Sequence, residues 1–165
     1  MKTTMPKTIL ALVAVSLVAV ALLAGCGGGN ADGPPDLSDA DLRCTACGMA
    51  VTDPKFAAAI RTTGGGVEAY DSIECLVGDL RTRTGERAPA GIWLSDLPSG
   101  ELHPAAAMTV VLADFPSPMG GGYAAFLSAE TAAAEAARRG GVAGPLAEFV
   151  AGNLRRPAGE TGSDQ

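Results

Sequence analysis

Gly64-Gly65-Gly66-Val67-Glu68-Ala69-Tyr70-Asp71-Ser72-Ile73-Glu74 decides the fold, because it returns 56 residues later as Gly120-Gly121-Gly122-Tyr123-Ala124-Ala125-Phe126-Leu127-Ser128-Ala129-Glu130. Both copies have three glycines, an aromatic four residues after the last glycine, a serine two further on and a glutamate two beyond that. Each glycine run reads as a turn. Val67-Glu68-Ala69-Tyr70 and Tyr123-Ala124-Ala125-Phe126 read as short strands, and a cap residue then opens a helix.

Working outward, residues 56–62 are a strand before the first turn. Asp71 or Ser72 caps a helix to about Arg83, with Ile73, Leu76, Val77 and Leu80 on one face. Ile92-Trp93-Leu94 is a strand after the break at Pro89. In the second copy residues 107–112 are a strand, and Ser128 caps a helix to about Arg139 that stops at Gly140-Gly141. A closing helix starts at Pro145, with Leu146, Phe149 and Val150 on one face. The expectation is an α+β chain, a single small domain of two β-β-α-β repeat units over residues 42–155.

The flanks are of another kind. Lys2 and Lys7 precede residues 9–23, which are apolar apart from Ser16. That run is shorter than the roughly 20 residues of a spanning helix. It ends in Leu23-Ala24-Gly25-Cys26, which matches a bacterial lipobox at all four positions. Residues 1–25 therefore read as a lipoprotein signal peptide, with Cys26 as the lipidated, palmitate-type anchor. Gly, Pro, Asp and Ser over residues 26–41 read as a flexible tether, and residues 156–165 as a disordered tail. The expected location is the cell membrane or outer membrane, facing the periplasm.

Without the leader the chain has 140 residues, room for one domain with a core. It carries 10 basic against 18 acidic side chains. That balance speaks against nucleic acid and anionic surfaces, and it tolerates a cationic cargo.

With Cys26 given to lipid, Cys44, Cys47 and Cys75 remain, so a disulfide scheme leaves one thiol over. Cys44-Thr45-Ala46-Cys47-Gly48-Met49 places two thiols and a thioether close together. Thiolate and thioether together favour Cu(I), and the thioether is a poor Zn(II) ligand. No second Cys-x-x-Cys completes a four-thiolate zinc site, and no His follows Cys47 as c-type haem attachment requires. The competing reading is a local disulfide with Met49 packed in the core. Met119, in Pro118-Met119-Gly120-Gly121-Gly122, is either an apolar plug or a second thioether brought from a distant loop. Cys75, beside Leu76 on the first helix, reads first as a buried structural thiol and second as a ligand. His103, between Leu102 and Pro104, reads as a solvated loop residue, or as an imidazole ligand behind Met119. Asp71 reads as a helix cap and Glu74 as a solvated helical residue. No Gly-x-Ser-x-Gly elbow, phosphate loop or histidine cluster is present, so no catalytic residue is assigned and an enzyme is not expected.

The ordered set is more specific than its parts. The lipobox, Cys44-x-x-Cys47-Gly48-Met49, Asp53-Pro54-Lys55-Phe56, Tyr70-Asp71-Ser72-Ile73-Glu74-Cys75, Trp93-x-x-Asp96 and Ser117-Pro118-Met119-Gly120-Gly121-Gly122 resemble the nitrous oxide reductase accessory lipoprotein family, NosL, over most of residues 42–141. The resemblance implies two β-β-α-β units and one bound Cu(I). It implies a metallochaperone for maturation of nitrous oxide reductase in denitrification. Its partners would be that enzyme and a membrane maturation complex with an ABC-type transporter. The alternatives are a general periplasmic copper carrier, a thiol–disulfide oxidoreductase using Cys44 and Cys47, and a zinc-stabilised structural domain.

Overall fold

The computed structural model describes residues 33–39, 41–83 and 88–156. The expected signal peptide, Cys26 and residues 157–165 lie outside the described residues. Among those described, no helix is long and apolar enough to cross a membrane.

The elements run β1 (Ala58–Thr62), β2 (Val67–Tyr70), α1 (Ile73–Leu80), β3 (Pro89–Ser95), β4 (Leu102–Pro104), a 3-10 turn (Ala105–Ala107), β5 (Thr109–Leu112), β6 (Tyr123–Phe126), α2 (Ala129–Arg138), β7 (Val142–Gly144) and α3 (Leu146–Ala151). The two expected units are present as β1-β2-α1-β3 and β5-β6-α2-β7. Their sheets are ordered β2-β1-β3-β4 and β6-β5-β7. The first strand of each unit is central, and every pairing is antiparallel.

Local chemistry accounts for the boundaries. Gly65 takes φ +84° in the first turn, and the Gly66 N–H donates to Thr62 Oγ1 at 3.1 Å. Ser72 and Ser128 are the N-caps, each accepting from the N–H three residues on, at Cys75 and Thr131. Helix α2 stops at Gly140, with φ +61°, and the Gly141 N–H closes onto the Ala136 carbonyl at 2.8 Å. Helix α1 ends at Leu80, short of the expected Arg83. Its cap residue Arg81 donates instead to the Phe149 and Val150 carbonyls of α3, at 2.7 and 3.1 Å.

Sequence patterning missed β4 and understated residues 34–39. A three-residue strand ending in proline carries no readable alternation; β4 exists because Leu94 of β3 pairs with His103. His103 is therefore on a strand, not in a loop. The compact unit begins at Pro34, inside the segment expected to be tether. Pro35 is buried, and the stretch lines a cleft with Val51, Pro54 and Leu102. Prolines lose little chain entropy on ordering, so a short Pro-Pro segment can lie against a domain at small cost.

The core straddles both sheets. On β5, Val110 and Leu112 point into a cluster with Ile60, Leu94, Ile73 and Phe149. Val111, on the opposite face, meets Phe126, Ala132 and Ala136 under α2. Asp96 stitches the end of β3 to β6: its Oδ1 accepts the Leu127 N–H at 2.9 Å, and the Leu97 N–H reaches the Ala125 carbonyl at 2.9 Å.

Candidate metal centre

Residues 44–49 form a tight hairpin tip. Arg43 and Ala50 make an antiparallel bridge, the Cys44 N–H donates to the Met49 carbonyl at 2.8 Å, and the Gly48 N–H returns to the Cys44 carbonyl at 2.8 Å. Gly48 takes φ +76°, which a side chain would resist. No helix follows the motif. The Thr45 N–H donates to the Ala69 carbonyl at 2.8 Å. That bond docks the hairpin on the end of β2, where the chain turns through Asp71 and Ser72 into α1.

The docking assembles a cluster. The sulfurs of Cys44, Cys47 and Cys75 and one carboxylate oxygen of Asp71 lie within 4.8 Å of one another. The three cysteines are free thiols. Cys44 is 2% exposed and Asp71 2% exposed, whereas Cys47 is open to solvent and Cys75 half-buried. Both Asp71 oxygens are buried, away from every backbone donor and beside the Cys75 thiol. A buried carboxylate is costly unless something pairs with it, and the Cys75 thiol is the donor beside it.

The electrostatics agree with a receiving site. Burial pushes the Cys44 thiol up; backbone N–H groups of Asp71, Cys47 and Ala46 oppose it and would stabilise the thiolate. Burial raises the Cys75 thiol further. The Ser72 hydroxyl opposes that shift, and the Asp71 carboxylate reinforces it. The Cys44 and Cys75 thiols thus hold their protons at neutral pH until a cation displaces them. A dithiol redox enzyme needs the reverse, an exposed low-pKa nucleophile at a helix N-terminus.

The sequence candidates separate clearly. Cys44 and Cys47 come together as expected. Cys75 joins them, its sulfur within 4.8 Å of theirs. Asp71 is not the helix cap, which is Ser72; it stands one residue earlier and faces the sulfurs. Met49 is 51% exposed and Met119 44% exposed, so neither is a core gap-filler or a buried plug. His103 stays apart. Tyr70, Ala58, Leu94 and His103 form one row across the four strands, which puts His103 roughly 14 Å from the Asp71 end of the row. Its imidazole Nε2 lies 4.0 Å from Glu101 instead. Glu74 is not merely solvated: its Oε1 accepts the Gly121 N–H at 3.0 Å and the Ser117 hydroxyl.

Comparison with solved structures finds the crystal structure of the copper chaperone NosL from Shewanella denitrificans, with a TM-score of 0.63 at 18% identity. The match covers 70% of this chain and 94% of that one. The chain has the fold of that copper chaperone. No family model matches the chain, and no curated protein matches it in sequence. The NosL-like fold thus agrees with the α+β repeat read from the two glycine-aromatic-serine stretches. Asp71 and Cys75 had one overlooked signal. At the equivalent places in the second copy stand Leu127 and Thr131.

Proposed function

We propose that the protein is a Cu(I) metallochaperone, a carrier and not a catalyst, whose site is built on Cys44, Cys47 and Cys75. The observation that carries this reading is the convergence of three thiol sulfurs within 4.8 Å at a half-open surface site. Low-coordinate Cu(I) is satisfied by two or three thiolates, and thioethers such as Met49 and Met119 suit it as exchangeable outer ligands. Burial of Cys44 anchors the ion. Exposure of Cys47 leaves one side open, where an acceptor's ligands can enter stepwise and take the cargo. Resemblance in fold to a copper chaperone supports the same reading.

The destination proposed is nitrous oxide reductase, loaded with its membrane maturation complex and ABC-type transporter. The carrier would be held by Cys26 on a membrane facing the periplasm. The ordered motifs from the lipobox to the Met119 loop, similar to those of the nitrous oxide reductase accessory lipoproteins, support that choice.

A specific observation favours a second metal. Asp71 adds a hard oxygen to three sulfurs, a donor set that Zn(II) accepts in tetrahedral geometry. The zinc would not be structural, since two apolar clusters already hold the sheets together.

Titration of the reduced protein with Cu(I), under anaerobic conditions and against a chromophoric chelator, tests the reading. One tight equivalent is expected. It should vanish in the triple variant Cys44→Ser, Cys47→Ser, Cys75→Ser. Unchanged binding in that variant would sink the site. Zn(II) outcompeting Cu(I) would make zinc the cargo.

A further inference from the structure

Glu74 stands directly before Cys75 in the first turn of α1, yet its carboxylate serves the other repeat. Oε1 accepts the Ser117 hydroxyl, and the Gly121 N–H at 3.0 Å. Ser117 Oγ in turn accepts the Gly122 N–H at 2.9 Å, and the Ser117 carbonyl accepts the Gly120 N–H at 2.9 Å. The Gly122 carbonyl accepts from the Ala113 N–H at 2.9 Å. The loop over residues 117–122 is therefore folded on itself and tied to the helical turn that holds Cys75.

The glycines of this loop are required by that closure. Gly120 and Gly122 take φ +70° and +75°. A Cβ at Gly121 would sit 3.0 Å from Cβ and Cγ of Glu74, so the Glu74 side chain would have to give way. Ser117 is buried, yet Met119, the loop's one large apolar side chain, is left out in solvent. A loop this firmly held would bury its methionine if packing were the purpose.

We propose that Glu74 is a positioning residue that presents the Met119 thioether to the Cys44, Cys47 and Cys75 site. The inference rests on the copper reading of that site. It makes Glu74 the link between the thiol half, on the first repeat, and the thioether half, on the second.

Cu(I) competition titrations on the intact protein test it, with Met119→Ala, Glu74→Ala, Glu74→Gln and the double variant Glu74→Ala/Met119→Ala. Met119→Ala and Glu74→Ala should each weaken binding by about tenfold, the scale on which losing a supporting residue of a metal site acts. The double variant should be no weaker than Met119→Ala alone, because both changes remove the same ligand. Glu74→Gln keeps an acceptor oxygen and should bind as wild type does. A general structural fault would instead add to the loss from Met119→Ala. Ser117→Ala breaks the same tie from the loop side, should Glu74→Ala fold poorly. Amide exchange at Gly121 and Gly122 should quicken in Glu74→Ala without copper, which shows the tie directly.

Additive losses, or wild-type affinity in Glu74→Ala, would overturn the positioning role and leave the thiol site intact. Wild-type affinity in Met119→Ala would overturn it too. Absence of tight Cu(I) binding in the wild-type protein would overturn both the function and the inference.

Discussion

The two repeats have one architecture and opposite chemistry. In both, the first strand is central, a serine caps the helix, and a segment from upstream docks on the second strand. The docking bond is the same in each. The Thr45 N–H takes the Ala69 carbonyl in the first unit, and the Leu97 N–H takes the equivalent Ala125 carbonyl in the second. What differs is the cargo of the docking segment. The first brings Cys44 and Cys47 against Asp71 and Cys75. The second brings Asp96, whose carboxylate is used up on the Leu127 N–H and on Ser99. The helix start is therefore a shared scaffold, and function follows from what is laid against it. Leu127, where the first unit has buried Asp71, is 48% exposed.

The sharpest way to break this contrast is at the thiols. Cys75→Ser should lower Cu(I) affinity by more than about a hundredfold, since one of three thiolates is lost. Chelator competition measures it, and circular dichroism should be unchanged. The converse experiment gives the second unit the first unit's helix start. Leu127→Asp with Thr131→Cys should create no second copper site, because no Cys-x-x-Cys docks there. A second tight equivalent would show that the helix start, not the docking segment, makes the site.

Asp96 is the test from the other side. Burial alone would raise its pKa, but the Leu127 N–H and the Ser99 hydroxyl and N–H outweigh it and hold it below the ordinary value of 3.8. A carboxylate depressed in the folded state adds stability above its unfolded pKa and loses it as pH falls through the lower, folded value. Asp96→Asn should cost about 2 kcal/mol at neutral pH and flatten the loss of stability below about pH 4. Denaturant melts across that range measure both effects. Copper affinity should not change, since Asp96 belongs to the second unit's docking segment.

These contrasts also explain what was legible in the chain. The repeat could be read because its turns, aromatics and caps are local: glycine for positive φ, serine for an open N–H. Cys44 and Cys47 could be read because their spacing is itself the geometry. Asp71 and Cys75 were under-read because a residue beside a helix start looks like a cap until the true cap is known. Glu74 looked solvated because a helical face says nothing about a loop arriving 43 residues later, at Ser117. His103 and β4 were hidden for the same reason, since an edge strand of three residues exists only through its neighbour.

A finer comparison lies in the last strands of the two units. Gly91 in β3 sits under the Trp93 ring, and a Cβ there would come within 2.3 Å of it. Gly144 in β7 sits under Leu154, and a Cβ would come within 2.4 Å of Cδ1. The nominal overlaps match, but the obstacles do not. The Trp93 ring is rigid, buried and covered by the Arg61 guanidinium, 5.6 Å from the ring centroid. Leu154 meets the glycine with the free end of a side chain that can rotate. Gly91→Ala should therefore cost about 2–3 kcal/mol and Gly144→Ala under about 1 kcal/mol, as overpacking against a fixed and a yielding neighbour.

The smallest contrast is in the caps. Ser72 and Ser128 perform the same bond, to Cys75 N–H at 3.4 Å and Thr131 N–H at 3.2 Å. Ser128 is exposed, so water replaces its hydroxyl in Ser128→Ala and the cost should be about 0.5–1 kcal/mol. Ser72 is fully buried, so Ser72→Ala leaves the Cys75 N–H without a substitute acceptor and should cost about 1–2 kcal/mol. Only the Ser72 change should also reach the metal, because the N–H it frees belongs to Cys75 of the proposed site. Loss of copper affinity in Ser128→Ala as well would mean that the two helix starts are coupled, and that the division between a scaffold unit and a working unit is drawn in the wrong place.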